Sequence, residues 1–180
     1  MVKNYVNPKL IRIRGAKIEI MEAAMAEDPL VRIQYSAKKS NVANSWKKWI
    51  GEIQGLEKMN TISKKEEFEA NLAKWIEEDN NRKEEYGYIL PEYKRLYDEW
   101  KDYYLVYNYT YDVFYSNGAE AVGYARNIAA LANLIEDGAA EKEIADMKGR
   151  LMSSAGSFFK NYDVEVDKKL FVAVTMLYSK

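Results

Sequence analysis

Only three prolines interrupt the 180 residues, at Pro8, Pro29 and Pro91, and each stands where a helix can begin. A first-turn proline costs little, because the N–H it lacks would have no partner inside the helix. Between and beyond these points apolar residues recur with a period near 3.6 rather than 2. The spacing predicts helices over about 9–26, 29–57, 63–80, 91–115, 118–136, 140–160 and 164–179. Asp28 before Pro29 reads as an N-cap, Ser63 with Glu66 fits a capping box, and Asp163 caps the last helix. Strand alternation is convincing nowhere. Residues 103–115 carry strand-prone side chains, yet Tyr93, Leu96, Tyr97, Trp100, Tyr104, Tyr107, Tyr111 and Phe114 recur at helical spacing. Period outranks propensity there. A helix of about 25 residues is roughly 37 Å long. The expected fold class is therefore all-α: an elongated multi-helix bundle of about seven helices. Its weakest joins fall at Asn80-Asn81, at Tyr86-Gly87-Tyr88 and at Glu136-Asp137-Gly138.

Composition removes several chemistries. Lys plus Arg total 27 and Asp plus Glu 28, so no basic excess calls for nucleic acid or an anionic membrane surface. There is no cysteine, hence neither a disulfide scaffold nor a thiolate metal site. There is no histidine either, which removes the usual general base of serine and cysteine hydrolases and the usual zinc ligand. No cofactor or metal is expected. No apolar run approaches the roughly 20 residues that cross a bilayer. Met1 to Lys9 holds no signal-peptide core.

Four features invite a functional reading. The helix from Pro29 carries a stripe of Val31, Tyr35, Val42, Trp46, Trp49, Ile53 and Leu56, interrupted by Lys38. At about 100° per residue these point one way and form a core face. Leu30, Ile33, Ala37, Asn41 and Asn44 lie on another side, with Asn44 about 200° from Trp46. Asparagine is disfavoured inside helices, so two of them one turn apart invite a role. Solvent exposure or a helix-packing hydrogen bond would also explain them. The tyrosine-rich helix reads as a bundle core with hydroxyls at its rim rather than as a binding platform. The mixed charges of residues 64–85 read as a solvated surface. Ser153, Ser154 and Ser157 have no base beside them, and Ala121, Ala125, Ala129 and Ala132 suggest close helix approach.

One family matches these landmarks. Arg12-x-Arg14, Asp28-Pro29-x-Val31-Arg32-Ile33-x-Tyr35, Asn44-Ser45-Trp46-Lys47-Lys48-Trp49-x-Gly51-Glu52 and Gly55-Leu56 resemble one region of bacterial serine dipeptidyl-peptidases of the dipeptidyl-peptidase 7 and 11 type. Phe158-Phe159-Lys160-Asn161-Tyr162, Asp167-Lys168-Lys169 and Phe171 are also similar to that family. The most specific stretch is Tyr35 to Leu56.

The resemblance implies a helical domain inserted in a chymotrypsin-like double β-barrel that carries a Ser-His-Asp triad. Residues 1–180 would be that cap, a fragment possibly incomplete at its C-terminus, with the barrel absent from the chain. The parent would be an exported homodimer of the periplasm or cell surface of a Gram-negative bacterium, its signal peptide outside this chain, releasing dipeptides from peptide N-termini. Partners implied are the catalytic domain of the same polypeptide and the peptide's N-terminus. The motif carries one substrate-binding residue onto this chain, Asn44, which helps hold the free amine. Ser45 and Lys48-Trp49 vary relative to some members. The rival expectation is a free-standing helical interaction or adaptor domain; a carboxylate hydrolase acting alone is the third.

Overall fold

The computed structural model describes residues 8–179; residues 1–7, part of the stretch that lacks a signal-peptide core, lie outside the described residues. Eight helices make up the described chain: α1 (Pro8–Glu27), α2 (Pro29–Lys58), α3 (Thr61–Glu77), α4 (Asn80–Tyr86), α5 (Ile89–Phe114), α6 (Glu120–Glu136), α7 (Glu141–Lys160) and α8 (Val164–Tyr178). The all-α bundle expected from periodicity is what the chain forms, with one helix more than expected. None of the described helices is long and apolar enough to cross a membrane.

Two of the three predicted caps are in place. The Asp28 carboxylate accepts from the Leu30 N–H at 2.7 Å, and the Asp163 carboxylate from the N–H groups of Glu165 and Val166. The Ser63–Glu66 capping box does not form. Asn60, at φ 49°, turns the chain early and α3 already begins at Thr61. Asparagine tolerates that left-handed conformation, so the N-cap after α2 falls three residues sooner than the capping pattern implied. The predicted weak joins at residues 80–81 and 86–88 bracket α4, whose N-terminus is capped by Asp79.

The chain divides into two compact units. One comprises Lys47–Asn108; among its contacts Trp75 stacks on Tyr86 and the Arg82 guanidinium lies 4.4 Å over the Trp75 ring. The other comprises Pro8–Trp46 and residues 109–179, and it holds most of the buried core. There Leu10, Ile13, Met21 and Ala24 of α1 are buried at helical spacing, as are Val166, Leu170 and Val174 of α8. Val31, Tyr35 and Val42 of α2 cluster with Met21, Ala24, Val166 and Leu170. Each large aliphatic buried in this way contributes roughly 1.5–3 kcal/mol.

Lys17 sits in the middle of the apolar face of α1 and is fully buried. Its ammonium donates to the carbonyls of Asp112, at 2.8 Å, and Ser116, so it closes the C-terminal end of α5. A cation there satisfies carbonyls that the helix leaves open and meets the negative end of its dipole. The Asp112 carboxylate lies 3.3 Å from both Lys17 Nζ and Arg14 Nε. Burial outweighs that attraction and brings the Lys17 ammonium down to about 8. The following turn is tight: Asn117 has φ 51°, the Ala119 N–H reaches the Val113 carbonyl, and a Cβ on Gly118 would overlap the carbonyl oxygens of Val113 and Asp112.

Two packing expectations are overturned. On α5 the stripe from Tyr93 to Phe114 is not a core: Tyr93, Leu96, Tyr97, Trp100, Tyr107 and Tyr111 are exposed, and Tyr104 and Phe114 only half-buried. The buried residues of α5 are Tyr109, Asp112 and Val113, one to two residues off the stripe and hence about 100–200° around the helix. The rings pair with one another instead, Tyr97 with Trp100 at 6.2 Å and Trp100 with Tyr104 at 4.5 Å. On α6, Ala125, Ala129 and Ala132 are exposed rather than pressed against a neighbour. α6 and α7 meet through Tyr124, whose ring stacks on Phe158 at 4.4 Å and whose hydroxyl donates to the Leu151 carbonyl.

Candidate functional site

The candidate site is the exposed side of α2 around Asn44. The helix is continuous through this position. Its two sides separate as the 3.6 period requires: Val31, Tyr35 and Val42 are buried and Trp46 is half-buried, whereas Leu30, Ile33, Ala37, Asn41 and Asn44 are exposed. The Trp46 indole N–H lies against Gly15 of α1, 3.5 Å from where a Cβ would stand there. Asn44, about 200° away, has no hydrogen bond from its side chain among the described residues. The neighbouring polar groups do spend theirs locally: Ser45 Oγ donates to the Asn41 carbonyl and Ser40 Oγ to that of Ser36. The Asn44 amide is therefore free to accept and donate outward, which an amide does with one carbonyl and two N–H groups.

Behind this face α2 grips the turn between α7 and α8. Gln34 Nε2 donates to the carbonyls of Lys160, at 3.0 Å, and Tyr162. Lys38 Nζ donates to the Asn161 carbonyl at 2.6 Å and lies 4.3 Å over the Tyr35 ring. Tyr35 Oη both donates to the Asp163 carbonyl and accepts from its N–H. Lys38 also pairs with Glu120 at 2.5 Å. The Glu120 N–H in turn donates to Asp167 Oδ1 at 2.6 Å, so a carboxylate from α8 caps α6, whose own N-cap residue is Ala119. Burial raises the Asp167 carboxyl above the usual carboxylate range, opposed by the N–H groups of Glu120 and Ala121. Burial likewise raises the Tyr35 phenol.

No catalytic constellation is present among the described residues. The hydroxyls of Ser153 and Ser154 are spent on carbonyls of their own helix, those of Arg150 and Leu151. Among the described residues no group of three or more carboxylates is placed to hold a metal ion. The charged residues of α3 and α4 form surface pairs, Lys65 with Glu69 and Lys83 with Glu77. Sequence reasoning missed Lys17, Asp112 and Asp167, which are buried charges. Lys17 left a trace, as a lysine with Ile13, Ile20 and Met21 one turn away on α1.

The sequence pattern of the family described as peptidase S46 matches residues 1–180. The chain belongs to the peptidase S46 family. It is 32% identical over 178 residues to an Asp/Glu-specific dipeptidyl-peptidase of Capnocytophaga gingivalis, covering 99% of this chain and 25% of that protein. It is 34% identical over 179 residues to an Asp/Glu-specific dipeptidyl-peptidase of Flavobacterium psychrophilum, covering 99% of this chain and 24% of the relative. To dipeptidyl-peptidase 7 of Porphyromonas endodontalis it is 32% identical over 168 residues, covering 92% of this chain and 19% of the relative. The chain thus spans about a quarter or less of the length of these S46 relatives.

Proposed function

We propose that this chain is the helical cap of a serine-type dipeptidyl-peptidase and that Asn44 helps hold the free amine of the peptide substrate. Four observations support the reading: the S46 family match, relatives that are dipeptidyl-peptidases about four times longer, the absence of histidine, and an outward, unspent amide at Asn44 on a continuous helix. The last carries it.

The chemistry follows from geometry. A peptide's α-ammonium is a cationic donor, and a carboxamide oxygen accepts from it without adding charge. Two extended residues span about 7 Å. Fixing the amine therefore fixes which peptide bond reaches a nucleophile on another part of the polypeptide, and the product is a dipeptide. A helical cover over the cleft excludes longer N-terminal extensions and water. Export to the periplasm or cell surface and a homodimeric parent complete the proposal.

The test is Asn44→Ala in the full-length peptidase. A hydrogen bond to a charged group contributes about 1.5–3 kcal/mol, so kcat/KM should fall about 10- to 100-fold on substrates with a free amine. Unchanged kinetics remove Asn44 from the site. The exposed rings of α5 favour one rival, a free-standing adaptor. The encoding reading frame separates the two: flanking barrel sequence with serine, histidine and aspartate supports the cap, and its absence supports the adaptor.

A further inference from the structure

We infer that Lys38 is a positioning residue for Asn44: its ammonium fixes the rotation and axial placement of α2 against α6 and the α7–α8 turn. The inference rests on the reading of Asn44 given above and adds a residue to it.

Three residues within five positions of α2 reach the backbone of every residue from 160 to 163. Gln34 takes the carbonyls of Lys160 and Tyr162, Lys38 that of Asn161, and Tyr35 both backbone groups of Asp163. Lys38 differs from the other two because it also leaves that turn, to Glu120 at the start of α6. Its side chain and that of Glu120 are largely withdrawn from water, at 15% and 27% exposure, so the pair is weakly screened. Glu120 is itself held, through its N–H, by Asp167 of α8. A single ammonium thus joins three elements at one point. An ion pair with a carbonyl as third partner tolerates little rotation of the helix that carries it.

Asn44 lies six residues further along the same helix, about 9 Å. Between them Val42 is buried, and beyond it no residue of α2 is fully buried. Near the amide, α2 is otherwise seated by Val42 and the half-buried Ala43, Ser45 and Trp46, and a turn or so earlier by the ion pair of Lys39 with Glu22 of α1 at 2.8 Å. A rotation of about 10° at Lys38, transmitted along two turns of helix, moves an amide roughly 6 Å from the axis by about 1 Å. A displacement near 1 Å at a positioning group is enough to cost a large factor in turnover efficiency. This role also explains a lysine inside the apolar stripe, where packing alone would favour leucine.

The experiment compares Asn44→Ala, Lys38→Met and the double variant in the full-length peptidase, on a peptide with a free amine. Lys38→Met should raise KM about fivefold or more with kcat within twofold, and the double variant should be no worse than Asn44→Ala, because both act through one amide. Lys38→Arg, which keeps charge and donors, should recover most of the loss. Glu120→Gln, which keeps an acceptor for Lys38, gives a second route should Lys38→Met fail to fold; a KM rise near threefold is expected. If Asn44→Ala raises KM but Lys38→Met and Glu120→Gln do not, or if the Lys38 and Asn44 losses multiply, the positioning role is overturned and the Asn44 reading stands. If Asn44→Ala has no effect, it is the underlying reading that fails.

Discussion

Lys17 makes the stability of this protein depend on pH in a range where almost nothing else in the chain titrates. The chain has no histidine and no cysteine, so no other side-chain type in it has its ordinary value between pH 7 and 9.5. Burial brings Lys17 from 10.5 to about 8 in the folded state. That fall corresponds to about 3 kcal/mol of disfavoured charge. Between the two values the unfolded chain binds more protons than the folded one, so stability rises with pH. The penalty is fully present below pH 8 and shrinks as pH climbs toward 10.5. From pH 7 to pH 9.5 the expected gain is about 2 kcal/mol. Above pH 10 the buried phenols of Tyr35 and Tyr109 oppose it, because burial raises both and ionising them favours unfolding. The assay is urea unfolding followed by circular dichroism at 25 °C, at half-unit steps from pH 7 to 9.5. Lys17→Met has no group to titrate there, and Lys17→Arg stays charged, so both should be flat within about 0.5 kcal/mol. A flat wild type, or variants with the wild-type slope, would refute the account of Lys17.

Two further perturbations test how the helix ends are made. Asp167→Ala removes the acceptor that caps α6 from α8, so unfolding free energy should fall by about 1–2 kcal/mol, whereas Asp167→Asn keeps an acceptor and should cost less than half of that in the same urea titration. Gly138 has φ 67° and ends α6 with the Ala139 N–H on the Leu134 carbonyl, in open space; Gly138→Ala should cost about 1 kcal/mol. Gly118→Ala should cost more than 2 kcal/mol, since its Cβ meets backbone carbonyls that cannot swing away. Equal losses at the two glycines would contradict that distinction.

What the chain revealed before its structure depended on the range of the interaction. Helix starts at Asp28 and Asp163 are local, a side chain bonding N–H groups two or three residues on, and both formed. The two sides of α2 were legible because 100° per residue fixes which residues share a face. The direction of the α5 stripe was not, because period says that residues share a side and not which side is covered. Tyr97, Trp100 and Tyr107 satisfy the pattern while facing outward. The buried charges were hidden for a related reason. Lys17 meets Asp112 and Ser116 across 95 and 99 residues of sequence, and Lys38 meets Glu120 across 82. Nothing in the spacing of either lysine names such a partner. Asn44 stands out by type and by face, and in the structure its side chain is exposed on α2.

The grip of α2 on residues 160–163 has an evolutionary corollary. Each residue of that corner is bound through its backbone by a side chain from 123 or more residues earlier, so adding or deleting one residue there would shift the whole register of bonds. Among the described residues, the backbone hydrogen bonds of the bend at residues 137–140 go to the two helices it joins. Length variation among homologues, and insertion of a label or affinity tag, should concentrate at that second bend and avoid the first.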